Sequence, residues 1–363
     1  MINYYTLEKN DDWDNIVKSF ENYDVYYLSG YVRAFQINGE GDPILVYYED
    51  GITRAINVVI RRDISKCEYF NKSLRTGEWF DVVTPYGYGG FLVEGNDYEK
   101  LCKEYIQFCC DNHIVCEFVR FHPLLSNWTS VEVLYKDIHL GDTVYIDTKS
   151  EEQIWKNFSS KNRNVIRKAQ KAGLEVFWCR DPKIIKPFIE IYNATMDKDQ
   201  ASEYYYFKEK FYQSILSDLK HNAMWFYALS NGEIAAISIF MFCNKNMHYH
   251  LSASQKKYQS FAPTNLLIYE AALWANKNGY ERLHLGGGVG SGHDSLYKFK
   301  KAFNRGKDLE FHIGKRIFNK KKYKELCEMR EILLEENTLY DGYFPKYRGR
   351  LEKYIGDFNE LMI

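Results

Sequence analysis

The two halves of the chain repeat one pattern of apolar and polar positions. Each half has a strand-like apolar run, a turn dipeptide and a second apolar run: Pro43–Tyr48, Asp50-Gly51 and Arg54–Ile60, then Met224–Leu229, Asn231-Gly232 and Ile234–Phe240. Asp-Gly or Asn-Gly between two strand-like runs is typical of a tight β-hairpin. Each half is therefore predicted to contain a hairpin.

A strand, a loop, a helix and a further strand are predicted after each hairpin. In the first half these are Trp79–Val83, Tyr86–Gly90, Asp97–Asn112 and Val115–Phe121, and in the second half His248–Ser254, Gln255–Ala262, Pro263–Asn278 and Arg282–Leu285. The last strand, helix and strand have the size of a βαβ unit. The pattern predicts a duplicated α/β (α+β) domain whose mixed, mostly antiparallel sheet is flanked by helices.

The boundary between the two predicted domains lies near Thr148. Ser150 followed by Gln153 has the spacing of a helix capping box, and Gly173 is a typical residue to end the next helix. We therefore expect a first domain at 1–148 and a second at 149–318. Residues 319–363 are expected to pack back on the first domain.

Positive charge is concentrated in two segments of a chain that is nearly neutral overall. The net charge of the 363 residues is −1, yet residues 156–171 contain six basic residues and no acid, and residues 298–324 contain eleven basic and two acidic residues. Arg163, Arg167 and Lys171 share one helix face by their spacing, and like charges on one face repel. This face is predicted to bind an anionic donor; a merely solvated helix face stays the alternative.

The sequence predicts a cytoplasmic protein. Its most apolar stretch, Ile234–Cys243, has the length of a strand, and the N-terminus lacks the basic and apolar regions of a signal peptide. Eight cysteines are present without a CxxC pair, which favours reduced thiols in a reducing compartment and gives no metal site.

A glycine-rich segment followed by lysines carries the strongest chemical signal. Leu283–Phe303 ends a strand in a run that includes Gly287 and Gly288 and then begins a short helix with Lys300. Glycines let a backbone approach a ligand closely, and a lysine beside them can neutralise a developing negative charge. No GxxxxGK[ST] motif occurs. A flexible surface loop is the alternative, and the neighbouring lysines could take the same role.

Tyr249 lies in the strand His248–Ser254 and faces away from His248 and His250. One of the two faces is expected to line a cleft. Two histidines without a third ligand nearby are expected to be core or cleft-wall residues, so no metal is predicted here.

Several linked motifs resemble the second domain of Fem-type aminoacyltransferases and their GNAT-like relatives. They are the basic segment Trp155–Val176, the strand Tyr249–Ser254, the helix start Pro263–Ala271, and the glycine run that ends in Phe299–Phe303. Their order and spacing agree over about residues 155–314, whereas the first half agrees only in its architecture. The resemblance implies two tandem GNAT-like domains, with Lys300 and Tyr249 at the active site and Phe299 in the same motif.

The resemblance implies transfer of an aminoacyl or acyl group to an amino group of a cell-envelope precursor. The acceptor would be nucleotide-linked or lipid-linked, either a peptidoglycan peptide or a sugar of a surface polysaccharide. The donor would be aminoacyl-tRNA or acyl-CoA, with no tightly bound cofactor. Lys300 and Tyr249 are the expected catalytic residues, and the expected substrate-binding residues are Arg163, Arg167, Lys171, Phe299, Gly287 and Gly288.

Three departures from the family pattern bear on the substrates. The segment Ser29–Gln36 lacks the Trp and Lys that classical members place at the muramyl-peptide site. No coiled-coil stretch between Thr148 and Gly314 has the length of the helical-hairpin arm that tRNA-using members often carry, and the loop Gln255–Pro263 lacks the glycines of a GNAT pyrophosphate turn. Two alternatives therefore stay open: an acyl-CoA-dependent N-acetyltransferase, and a non-catalytic protein that binds a nucleotide-sugar or RNA.

Overall fold

Strands and helices alternate along the chain, which a computed structural model describes for residues 2–332, 334 and 339–349. As far as residue 147 they are β1 (Ile2–Thr6), α1 (Asn10–Lys18), α2 (Ser29–Asn38), β2 (Asp42–Glu49), β3 (Arg54–Asp63), β4 (Phe80–Val83), β5 (Leu92–Glu94), α3 (Tyr98–Asp111), β6 (Ile114–Arg120) and β7 (Lys136–Asp147). From residue 151 they are α4 (Glu151–Asn157), α5 (Ser160–Lys171), β8 (Glu175–Cys179), α6 (Ile185–Lys198), α7 (Glu209–Asp218), β9 (Ala223–Ser230), β10 (Glu233–Cys243), β11 (Asn246–Ser254), α8 (Pro263–Lys277), β12 (Arg282–Gly286), α9 (Ser295–Lys301), β13 (Leu309–Ile317) and α10 (Lys320–Glu328).

Both predicted hairpins are confirmed. Strands β2 and β3 pair antiparallel around Gly51, whose φ is 88°. Strands β9 and β10 are joined at Asn231 and Gly232, with φ of 51° and 81°. Two successive residues with positive φ match the right-handed twist of the flanking strands, which explains why Asn-Gly is so good a hairpin signal.

The predicted helix caps are also present. The Ser150 hydroxyl accepts a hydrogen bond from the Gln153 N–H at 3.1 Å, at the start of α4. Gly173 follows α5 with φ of 76°, a conformation that stops a helix at low cost for glycine. These signals act within four residues of the helix end, so the sequence alone predicts them well.

The chain forms two compact units. The first comprises the described residues as far as Gly141, Val289–Gly292 and those from Glu310 onward, and the second comprises Asp142–Gly288 and His293–Leu309. The division therefore falls inside β7 and before most of β13, rather than after 148 and 318 as the sequence suggested. β13 pairs antiparallel with β6, a partner far away in sequence, and local patterns do not reveal such a pairing.

In the first unit the strand order is β1-β2-β3-β4-β6-β13, and β5 pairs with the first three residues of β3. Strands β4 and β6 run parallel, and the pairs β1–β2, β2–β3, β3–β4 and β6–β13 are antiparallel. Residues described beyond 318 lie on this unit: α10 contacts β6, and the Tyr347 hydroxyl donates to Asp81 Oδ2 at 2.9 Å. Residues 333, 335–338 and 350–363 of that predicted segment lie outside the described residues.

In the second unit the end of β7 begins the order β7-β12-β11-β10-β9-β8. Only β11 and β12 pair in parallel; the other neighbours are antiparallel. Phe226 contacts Trp274 of α8, and the next residue along, Trp225, contacts Phe188 of α6. Because successive strand residues point to opposite faces, α8 and α6 cover opposite faces of this sheet. A mixed, mostly antiparallel sheet flanked by helices confirms the predicted fold class.

The helices are short. The longest one described, α8, has 15 residues, whereas a helix needs about 20 apolar residues to cross a bilayer. Within the described residues, none has both the length and the apolar character of a membrane span.

The core of the first unit contains a buried carboxyl group. Glu117 on β6 is inaccessible to solvent, and it accepts hydrogen bonds from the Tyr105 and Tyr135 hydroxyls at 3.0 and 2.9 Å and from Asn57 Nδ2 at 3.0 Å. Burial raises the pKa of Glu117 to about 7, and the three hydrogen bonds oppose that rise. The carboxyl group is therefore protonated in the folded protein at pH values where it is ionised in the unfolded chain.

This difference predicts a pH-dependent stability. Between pH 4.5 and 7 the folded state holds a proton that the unfolded chain has lost, so the free energy of unfolding falls as pH rises, by on the order of 3 kcal/mol. Urea unfolding of the Glu117→Gln variant should lack this fall. The exposed Glu132→Gln serves as control and should follow the wild type. Parallel pH curves for Glu117→Gln and the wild type would contradict the assignment.

Candidate active site

Strands β11 and β12 separate in the middle of the second unit. They pair in parallel only over Asn246–His248 and Arg282–His284, although β11 continues to Ser254 and β12 to Gly286. On its other side β11 carries a bulge at His250, since Phe240 lies opposite Tyr249 while Ile239 lies opposite Leu251. A bulge bends a strand and interrupts its ladder, and bulges are common beside active sites. The opening between the two strand ends is the candidate active site.

Tyr249 is the first residue of β11 beyond the paired stretch. Its half-buried side chain lies on the face covered by α8, against the Phe240 ring at a centroid distance of 5.5 Å. Its hydroxyl bonds with Ser238 and Ser252, whose own hydroxyls are 2.8 Å apart. Burial raises the pKa of Tyr249, so the phenol stays protonated and can act as a hydrogen-bond donor.

Lys300 lies at the other side of the opening. It belongs to α9, whose first turn is capped by the Asp294 side chain, and only 9% of its surface is exposed. Its Nζ donates to the Gly287 carbonyl, one residue past the end of β12, at 2.6 Å. Burial lowers the pKa of Lys300 to about 8, against the opposing charge of Asp294. Since an ammonium has three N–H donors, the group at neutral pH retains capacity for a substrate oxygen.

The glycines after β12 fit close backbone contact. A side chain at Gly287 would place its Cβ 2.8 Å from the Asp142 carbonyl, so only glycine fits there without displacement. Gly286 has φ of 77°, which turns the chain away from β12. Gly288 follows in the same turn and is half-buried. The predicted glycine run thus fixes the carbonyl that holds Lys300, and substrate contact by Gly287 and Gly288 stays a prediction.

Phe299 lies next to Lys300 in α9. Its ring packs at the edge of the second-unit core, 5.5 Å from the Phe303 ring, and part of its surface is exposed. This packing gives Phe299 a role in holding α9, and its predicted contact with substrate stays a prediction.

The three predicted donor-binding residues of α5 do not act alike. Arg163 Nη1 donates to the Phe158 carbonyl at 2.5 Å, which caps the end of α4. The Arg167 guanidinium lies over the Trp155 ring at 5.1 Å, and Lys171 is exposed in the last turn. Two of the three cations therefore have structural partners, and donor binding by this face stays a prediction.

Another lysine of α5, Lys168, was not singled out from the sequence. The exposed Lys168 donates from Nζ to the Ser260 carbonyl at 3.1 Å, in the turn that precedes α8. Lys161 lies two helical turns earlier and is also exposed. The seven-residue spacing of Lys161 and Lys168 does indicate that they share a second basic face of α5. Deciding which basic face lies toward α8 requires the position of α8 in the fold.

Comparison with known proteins bears on the fold of the chain. Residues 156–301 match the family described as Acetyltransferase (GNAT) domain. No curated protein sequence matches the chain. The crystal structure of FemX is similar, with 14% identity, a TM-score of 0.66, and coverage of 90% of this chain and 99% of that one.

A structure of L-PGS and one of a lysylphosphatidylglycerol synthetase domain share the fold as well. L-PGS from Bacillus licheniformis has 14% identity and a TM-score of 0.54 over 90% of this chain and 97% of its own. The C-terminal domain of a putative synthetase from Agrobacterium fabrum has 13% identity and a TM-score of 0.54 over 92% and 96%. The predicted resemblance to the Fem-type and GNAT-like superfamily is confirmed: residues 156–301 match the GNAT domain family, and the solved structures share the fold of the chain.

The burial of Lys300 predicts an unusual stability effect. Replacing it by Met removes an ammonium whose charged form the fold disfavours, so Lys300→Met should be more stable than the wild type at pH 7 by about 1–2 kcal/mol. This gain in stability over the wild type should shrink as pH rises from 8 to 10.5. Over that range the wild-type lysine is neutral in the folded state and still charged in the unfolded chain, so the wild type becomes more stable. Thermal unfolding across this pH range measures the effect.

Lys301→Met is the matched control on the same helix. Lys301 Nζ is bound to Asp308 Oδ1 and to the Gly306 carbonyl, both at 2.7 Å, so its loss should destabilise the protein. A Lys300→Met variant that is less stable than the wild type at pH 7 would show that burial of the Lys300 ammonium does not destabilise the folded protein.

Proposed function

We propose that the chain transfers an aminoacyl or acyl group from an anionic donor to an amino group of a cell-envelope precursor. The observation that carries this proposal is the strand opening with Tyr249 on one side and the Lys300–Gly287 contact on the other. A carbonyl group placed between them would meet two hydrogen-bond donors, and one of these is positively charged. Such donors stabilise the oxyanion that forms when an amine attacks a carbonyl carbon.

The reaction needs no covalent enzyme intermediate. The acceptor nitrogen forms a bond to the donor carbonyl carbon, the ester or thioester bond breaks, and the amine proton moves overall to the leaving oxygen or sulfur. With its pKa near 8, Lys300 carries its charge at neutral pH, and Tyr249 with a raised pKa keeps its proton. Both side chains therefore act as donors toward the carbonyl and leaving group, and the attacking amine arrives in its neutral form.

The surroundings of α8 favour aminoacyl-tRNA as the donor. The helix begins with Pro263, which has no N–H, after a turn ending at Ala262 with φ of 54°. This arrangement differs from a glycine turn that offers backbone N–H groups to a pyrophosphate. The exposed lysines of α5, with Lys168 beside that turn, suit a phosphate backbone bound through side chains. The fold shared with FemX and a lysylphosphatidylglycerol synthetase domain fits aminoacyl transfer.

Acyl-CoA is the second candidate donor. It is favoured by the match of residues 156–301 to the acetyltransferase domain family. CoA also carries phosphates that the exposed lysines of α5 could bind.

A nucleotide-linked or lipid-linked sugar or peptide is the proposed acceptor. In the first unit, the segment that differs from classical Fem enzymes forms α2, where Tyr31, Val32 and Phe35 are fully buried. These side chains pack inside the unit, so the segment does not offer the missing Trp and Lys contacts to a muramyl peptide. An amino sugar is therefore preferred over the classical peptide acceptor.

Turnover with defined donors tests this function. The purified protein is incubated with charged tRNA or acetyl-CoA and with UDP-linked amino sugars or UDP-muramyl peptides, and products are identified by mass spectrometry. Lys300→Met should lower kcat by about 100-fold or more, the usual loss for one oxyanion donor. Lys301→Met should keep kcat within a few-fold. Wild-type activity in Lys300→Met would refute the role of Lys300, and no product from any pair would refute the enzyme.

A charge reversal on α5 tests the donor site. Lys168→Glu should raise the donor KM by about 3–10-fold at low salt and leave kcat nearly unchanged, because it places a negative charge beside donor phosphates. The difference should narrow as ionic strength rises. Lys277→Glu, at the far end of α8, should behave like the wild type. Equal effects of the two reversals would indicate a general charge effect instead of a donor site.

A further inference from the structure

The helix that carries Lys300 cannot set its own position. Helix α9 has 7 residues, fewer than an isolated helix needs to be stable in water. Its location relative to the strand opening must therefore come from contacts with the rest of the unit: the core packing of Phe299 and the hydrogen bonds at the two ends of the helix. Those contacts decide where the Lys300 ammonium lies.

The two ends of α9 are held differently. Near its start the Tyr297 hydroxyl donates to Asp308 Oδ2 at 2.5 Å, which fixes α9 to the loop that follows it. Directly after its last residue, the Ala302 carbonyl accepts from the Ser159 N–H at 2.9 Å and from Asn162 Nδ2 at 3.3 Å. The end next to Lys300 is thus tied to the start of α5.

Asn162 connects this end of α9 to a third helix. Its Oδ1 accepts a hydrogen bond from Asn265 Nδ2, in the first turn of α8, at 2.8 Å. The side chain is 2% exposed and lies in the first turn of α5. One buried amide group therefore uses its donor side toward α9 and its acceptor side toward α8.

Other contacts of α5 also join it to α8. Lys168 reaches the turn before α8, as described above, and α5 packs along α8. The proposed donor phosphates lie at this end of α8, whereas the reacting carbonyl lies beside Lys300. The Asn162 side chain bonds to both regions.

We propose that Asn162 is a positioning residue that fixes the distance between the Lys300 ammonium and the start of α8. This role rests on the proposed transferase function. The donor is a long anionic molecule bound at one end and attacked at the other, so this distance decides whether its carbonyl reaches Lys300. A displacement of about 1 Å in such an arrangement can cost on the order of 100-fold in rate.

The chemistry of the side chain explains why an amide suits the position. Asn162 both donates and accepts, and a carboxylate or an alkyl group would lose at least one of these bonds. Without the Asn162 bond, the Ala302 carbonyl keeps the Ser159 N–H and loses its side-chain donor, so the end of α9 is held less firmly against Gly287 and water can reach the Lys300 ammonium. Its pKa should then rise from about 8 toward the ordinary 10.5, since burial is the main cause of the lowered value.

Asn162→Ala tests the proposal, with Asn276→Ala as the matched control. Asn276 lies near the other end of α8, where its Nδ2 donates to the Thr148 carbonyl at 2.7 Å, so it loses the same kind of bond far from Lys300. Asn162→Ala should lower kcat by about 10–100-fold with KM changed less than about 3-fold. Asn276→Ala should lose comparable thermal stability and retain kcat.

A second readout measures Lys300 without turnover. Competitive labelling with isotopic acetic anhydride from pH 6 to 11, followed by peptide mass spectrometry, gives the pKa of Lys300 in each variant. The proposal expects an upward shift of about one unit or more in Asn162→Ala and none in Asn276→Ala. The charge of Asp294 also affects the pKa of Lys300, and neither substitution changes Asp294.

The outcomes separate this proposal from the proposed function. Unchanged kcat and unchanged Lys300 pKa in Asn162→Ala would overturn the positioning role while leaving the transferase intact. A shifted pKa with no activity in the wild type would support the positioning and refute the transferase. If Asn162→Ala does not fold, Asn265→Ala removes only the α8 bond from a half-buried side chain and should show the same kcat loss in smaller measure.

Discussion

Strands β11 and β12 stop pairing after His248 and His284, and the rest of the site depends on that separation. Two parallel strands that part leave an opening in the sheet, with backbone on both sides and no ladder to fill it. Tyr249 takes the first position beyond the pairing on β11, and Gly287 follows the end of β12. Lys300, bound to that glycine carbonyl, places a positive charge at the opening.

The buried ammonium of Lys300 is unfavourable for folding, while the proposed function requires it. An ammonium with its pKa lowered to about 8 is held where the fold disfavours it, and the short helix α9 must be tied down to keep it there. Asp308 holds α9 through Tyr297 and Lys301, and the Ala302 carbonyl just after the helix is held by the Asn162 amide together with the Ser159 N–H. A solvent-exposed lysine on a mobile loop would not destabilise the folded state in this way. It would, however, not be held in a fixed position relative to a substrate carbonyl.

Local features of the fold could be predicted from the sequence, while features that join distant segments could not. Asn231-Gly232, Ser150 and Gly173 act within a few residues, and the structure has the turn and caps that they predict. The pairing of β13 with β6 joins residues nearly 200 positions apart, so the predicted domain limits missed it. The same reason explains Arg163: its spacing indicated a binding face, but the α4 carbonyls that it caps are visible only in the fold. Lys300 and Tyr249 were predicted as site residues from linked motifs, and their role stays a prediction; their places on either side of the opening could be seen only once the sheet was known.

The most direct test of this account is a crystal structure with a donor analogue whose reactive ester is replaced by a stable amide. The account predicts that the analogue carbonyl lies between β11 and β12, within hydrogen-bonding distance of Lys300 Nζ and close to the Tyr249 hydroxyl. An analogue bound with its carbonyl outside that opening, while Lys300 contacts only Gly287, would contradict it.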